Sequence, residues 1–153
     1  MHRHGCYLRY LDAKGDERVA MQRYLCPPCG HTVSVLPSNQ LTYRPLKVKR
    51  LEAYFDAQAG VSTGLDPPPE LTEAGCLQRA WNRFLTRVDR LKNAFGQMLR
   101  TGLNTAGQLW KEMRQSMGSG EQILRFLAQN CKCSLLGDYA CCSASGQTRR
   151  VLS

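Results

Sequence analysis

Two cysteines set two residues apart and followed at once by glycine, Cys26-Pro27-Pro28-Cys29-Gly30, are the residues in this chain best suited to chemistry. A turn of that size directs both thiolates at one ion and frees backbone N–H groups to point at sulfur. The chemistry it favours is metal binding, with Zn2+ the first candidate. The flanking residues argue for a hairpin tip: Val19 to Leu25 and Thr32 to Leu36 are β-prone, and the second run alternates apolar and polar residues before Pro37. A redox C-x-x-C of the thioredoxin kind precedes a helix instead. Cysteines of purely structural role are the remaining alternative.

A tetrahedral zinc site takes four ligands, and the knuckle supplies two. A partner knuckle is expected about 15–20 residues upstream, yet that region reads His2-Arg3-His4-Gly5-Cys6. His4 and Cys6 therefore join Cys26 and Cys29 as candidate ligands, although their spacing along a strand is not that of a knuckle. His31 is expected to lie exposed or hydrogen-bonded beside the site. Near the other end, Cys131-Lys132-Cys133 and Cys141-Cys142 lack the knuckle turn, so a second zinc site there is the weaker reading.

The elements that must position these residues follow from periodicity. Residues 2–12 read as a strand, Ala13 to Asp16 as a turn and Arg18 to Leu25 as the antiparallel partner, giving a three-stranded zinc-ribbon-like unit over 1–37. A ribbon this small needs a metal to hold it. A helix within 38–60 starts near Pro45, buries Leu51, Tyr54 and Phe55, loads its first turns with Lys47, Lys49 and Arg50, and ends at Gly60. Residues 61–71, with Gly64 and Pro67-Pro68-Pro69, form a linker.

Within 72–130 the strongest pattern runs from Thr72 to Leu99 as one long helix. Leu77, Trp81, Phe84, Val88, Leu91, Phe95 and Met98 fall on a single stripe. Arg79, Arg83, Arg87 and Arg90 run along another face, where guanidinium forks suit phosphates and guanine edges. Thr105 with Gln108 and Ser119 with Gln122 fit the capping-box pattern and start two shorter helices. These would bury Leu109, Trp110, Met113 and Met117, then Ile123, Leu124 and Leu127. Residues 131–153 read as a flexible, cysteine-containing tail, and the fold class is α+β.

The chain has 153 residues and a formal charge of +9. The charge comes in blocks: +6 over 1–50, −5 over 51–75, +5 over 76–100 and +3 beyond. A polyanionic partner is favoured. The start lacks the apolar core of a signal peptide and no run has the roughly 18 apolar residues of a membrane span, so reduced thiols and a cytoplasmic location are expected.

The ordered set Tyr24-Leu25-Cys26-Pro27-Pro28-Cys29-Gly30-His31-Thr32-Val33-Ser34-Val35-Leu36-Pro37, Leu41-Thr42-Tyr43-Arg44 and the basic helix after it resembles the bacterial zinc-ribbon and helix-turn-helix proteins associated with insertion-sequence transposases. His2-Arg3-His4-Gly5-x-Tyr7 is similar to the segment those proteins carry just after their first zinc knuckle. The resemblance covers residues 2–55 and, more loosely, Leu77 to Trp81. It implies zinc on Cys26 and Cys29, and a recognition helix where Arg79, Arg83 and Arg87 stand. It also implies a first C-x-x-C before His2, so that this chain is a truncated copy or starts too late. The proline linker departs from the family pattern. No catalytic residue carries over: a two-metal nuclease needs clustered acids, and the acids here lie mainly in the linker. The expected function is non-enzymatic DNA binding. The alternative is a zinc-stabilised module whose apolar stripe binds a second copy or another helical protein.

Overall fold

The computed structural model describes residues 1–12, 15–36, 40–41, 45–62, 64–99, 102, 104–138 and 141, with backbone only at 97. The fold is α+β. An antiparallel sheet of β1 (His2–Tyr10), β2 (Arg18–Leu25) and β3 (Thr32–Ser34), in that order, precedes five helices. The β1–β2 connection is set by Asp12, whose Oδ1 accepts from the backbone N–H groups of Gly15 (2.7 Å) and Asp16 (3.2 Å). Register pairs Tyr10 with Arg18 and Cys6 with Gln22, and shifts at a bulge between Arg3 and Gly5. Strand alternation then divides the sheet into two faces. Tyr7, Arg9, Val19 and Met21 share the more buried one, whereas Leu8, Tyr10, Arg18 and Ala20 are exposed on the other.

The helices are α1 (Val48–Gln58), α2 (Leu71–Leu85), α3 (Val88–Phe95), α4 (Ala106–Met117) and α5 (Gly120–Gln129), with a 3-10 turn at Gly96–Met98. Helix α1 begins later than Pro45 suggests. Lys47 is still extended, paired with Gln40 in an antiparallel bridge, and caps the helix without a side-chain bond. Both capping boxes form as expected, with Thr105 and Ser119 accepting from the N–H groups of Gln108 and Gln122.

One apolar cluster joins all five helices. Phe55 stands at its centre, with ring centroids 4.8 Å from Trp81, 5.2 Å from Phe84 and 5.0 Å from Trp110. Helix α1 and the later helices therefore share a single core across the proline-rich 61–70 segment. Acids on either side of this segment are used inside the protein. Glu52 bonds Arg114 (2.9 Å), and its other oxygen accepts from the Gly120 N–H at the start of α5. Asp56 accepts from Trp110 Nε1 (2.7 Å), and Glu73 holds Arg50 through two bonds.

Two expectations are corrected. The single helix over 72–99 is broken at Thr86–Arg87, where the Thr86 hydroxyl donates back to the Arg83 carbonyl (2.8 Å) and Arg87 leaves the helical path. The two-residue turn keeps the apolar stripe nearly in phase, which is why periodicity does not reveal it. Leu77, Trp81, Phe84, Leu91 and Phe95 are buried as that stripe requires, whereas Met98 is exposed. The flexible tail is also revised: over 131–138, Cys133, Leu135 and Leu136 are buried in the helical core. The rest of the expected tail, Cys141 apart, falls outside the described residues.

Candidate metal centre

The cysteine knuckle forms between β2 and β3. Cys26 donates its N–H to the His31 carbonyl (2.9 Å), and Gly30 donates to the Cys26 carbonyl (2.8 Å). Gly30 has φ +70°, a left-handed conformation that a side chain would strain, so the residue after Cys29 closes the turn as the sequence predicts. The thiols of Cys26 and Cys29 are joined by a third, from Cys141, and all three sulfurs lie within 4.8 Å of one another. Cys29 Sγ and Cys141 Sγ are 3.8 Å apart.

That separation fits a shared ion. Zinc–sulfur bonds of about 2.3 Å in a tetrahedron place two sulfurs about 3.8 Å apart. Cys26 and Cys141 are buried and Cys29 half-buried, so the trio is screened from bulk water. Among the described residues no cysteine is in a disulfide. Three cysteines close together can thus hold a metal ion.

The segment that ends three residues before Cys141 is fastened to the helices. Arg87, 7 % exposed, reaches from the α2–α3 turn to the carbonyls of Ser134 (3.1 Å) and Gly137 (3.0 Å) and to Asp138 Oδ1 (2.8 Å). Arg90 takes the other Asp138 oxygen (2.8 Å), and Arg83 Nε donates to the Leu136 carbonyl (3.3 Å). The Arg87 hydrogen bond holds the Asp138 carboxyl below its ordinary value. Three of the four arginines expected to face a polyanion instead make hydrogen bonds to the segment leading to Cys141. Arg79 is exposed and bonds the Cys76 sulfur (3.1 Å).

The other expected ligands stand apart. Register places His2 opposite Leu25 at the knuckle end, and Cys6 opposite Gln22. Cys6 is therefore displaced by four residues along the strand from Cys26, about 13 Å at strand rise. His4, at the bulge, is exposed, and neither residue enters the cysteine group. The reason is geometric: a ladder carries β1 away from the hairpin tip as it runs toward Tyr10. His31 is exposed with Nδ1 3.1 Å from the Cys29 carbonyl oxygen, beside the site as expected. Burial raises the thiol pKa of Cys131 and Cys133, favouring the protonated form, and the Cys131 thiol donates to the Ala94 carbonyl. Cys133 is buried in the helical core and Cys131 packs against it, and neither joins a group of three potential ligands among the described residues; Cys142 lies outside them.

The basic residues of α1 are also partnered in part. Lys47 pairs with Glu17 (2.9 Å), an exposed bridge, and Arg50 with Glu73, while Lys49 is exposed. The sheet is different. Its three strands contain Arg3, Arg9, Arg18, Arg23, His2 and His4 and no carboxylate. Arg18 lies over the Tyr10 ring at 4.4 Å, and Arg23 over Tyr7 at 4.6 Å. Sequence reasoning missed Cys141 as a member of the site, since 112 residues separate it from Cys29 and no local spacing marks it. It also passed over the sheet arginines, whose signal was present in the strand composition.

Comparison with protein-family models, with curated proteins and with solved structures gives no match. No helix among the described residues is long and apolar enough to cross a membrane.

Proposed function

We propose that this chain is a non-enzymatic DNA-binding protein, of the kind associated with insertion-sequence transposases, whose β unit is held by zinc. The observation that carries this reading is the charge of the sheet: four arginines, two histidines and no acid in three strands. Acids of the 51–75 block meanwhile bond Arg50, Arg114, Trp110 and the start of α5 inside the fold.

The contact surface is the exposed face that carries Arg3, Leu8, Tyr10 and Arg18, together with exposed Arg79 on α2. A two-stranded ribbon is of a size that the DNA major groove admits. Arg18, held over the Tyr10 ring, keeps its charge at the surface while giving up little further side-chain freedom on binding. Zinc is the ion of choice because three thiolates at this separation suit a borderline-soft tetrahedral cation. The competing use of the 72–99 stripe for a partner helix loses its surface, since that stripe is buried in the chain's own core.

Fluorescence anisotropy with a labelled DNA duplex tests the reading. Replacing Arg3 and Arg18 together by Gln is expected to lower affinity about tenfold or more and to reduce the salt slope by about 2, one counterion-releasing contact each. An unchanged affinity and slope in a folded double variant would overturn it.

A further inference from the structure

On the inner face of the sheet Met21 is buried, apart from the cluster of the helices. The cluster that holds the helices together contains no strand residue, either in its buried part or among the half-buried residues packed on it. Polar ties between sheet and helical part include Arg9 to the Leu41 carbonyl (2.6 Å) and Glu17 to Lys47. An exposed ion pair of the second kind contributes only about 0–1 kcal/mol. The cysteine trio is a further link, and it joins the knuckle of the sheet to the chain that follows the segment packed on α2 and α3.

We propose that Cys26, Cys29 and Cys141 form a clasp, in which a thiophilic divalent ion fastens the sheet to the helical core. This rests on the zinc reading above and adds what the ion does. Each half of the site is held by contacts of its own. The knuckle is fixed by its own backbone bonds and by Gly30. Cys141 follows a segment anchored by Leu135 and Leu136 in the core and by Arg87 on two carbonyls and Asp138. The ion replaces the protons of three thiols, which pass to solvent, and the three sulfur–metal bonds leave one net negative charge on the site. Because Cys141 stands three residues beyond Asp138, which Arg87 and Arg90 hold to the helical half, metal affinity and docking of the sheet are one equilibrium. Whatever separates the halves weakens the site, and whatever removes the ion frees the sheet to move.

The test uses the full chain, purified under reducing conditions, stripped of metal and titrated with Zn2+ or Co2+. One ion should bind per chain, with sulfur-to-cobalt charge-transfer absorption. Cys141→Ser should weaken binding by more than the roughly 10–100-fold that loss of a supporting group around a metal costs, while Cys133→Ser, buried but outside the trio, should not. Hydrogen exchange of the unmodified chain supplies a readout that needs no variant to fold: zinc should slow exchange over both 24–34 and 131–138. Protection of 24–34 alone, or unchanged affinity in Cys141→Ser, would overturn the clasp and leave the zinc reading standing. Failure of the intact chain to bind either metal would overturn both.

Discussion

Replacing Arg87 by Met keeps an unbranched apolar stem and deletes the guanidinium. The residue is 7 % exposed, and its loss strands the carbonyls of Ser134 and Gly137 and one oxygen of Asp138. Breaking a fully buried pair costs about 3–5 kcal/mol. The Asp138 side chain is 44 % exposed, so water recovers part of that, and about 3 kcal/mol is the expected loss. For a chain of this size that corresponds to a fall in melting temperature of about 6–12 °C. Urea unfolding of the metal-free protein followed by far-UV circular dichroism gives the free energy without a contribution from the ion. Asp138→Asn should cost less, and the double variant should lose less than the sum, because both changes remove the same bond. A folded Arg87→Met protein with unaltered midpoint but weakened DNA affinity would refute the reasoning. Arg87 would then act as the phosphate contact its place in the helix pattern suggests.

Three further outcomes follow. Gly120→Ala should lower stability by about 1–3 kcal/mol in the same assay, because a Cβ there would sit 2.8 Å from Glu52 Oε2 and 3.1 Å from Val48 Cγ1. Thr105→Ala and Ser119→Ala should each lose about 1 kcal/mol as their capping boxes open, additively, since they start different helices. The pH dependence comes from Asp138, whose folded carboxyl is held below its ordinary 3.8 by the Arg87 hydrogen bond. Its contribution is fully present above that value and is lost as pH falls through the lower folded value. The stability difference between the intact chain and Asp138→Asn should therefore be constant from neutral pH to about pH 5 and shrink below about pH 4; a difference that grows on acidification would contradict the assignment.

Local chemistry was readable in the sequence wherever a pattern spans a few residues. The alternation of β1 and β2, the knuckle with Gly30, and the Thr105–Gln108 and Ser119–Gln122 caps all form from neighbours that dictate one another's geometry. Residues that act across the chain were not readable. The turn at Thr86–Arg87 conserves helical phase and so hides in the periodicity of Phe84, Val88 and Leu91. An arginine row looks alike whether it faces phosphate or the carbonyls of a returning segment, and here Arg87 bonds Ser134 and Gly137, 47 and 50 residues on. Cys141 meets Cys29 three residues beyond the segment those bonds hold, a juxtaposition that no local spacing marks. His4 and Cys6 looked suitable by residue type, but strand register turned that expectation aside.

The most direct measurement is the affinity of the intact, zinc-loaded chain for a short DNA duplex as salt is raised. Arg3, Arg18 and Arg79, each making one phosphate contact, predict a slope of log affinity against log salt of about −2 to −3. A slope near zero would contradict the proposed function, whatever the state of the metal clasp.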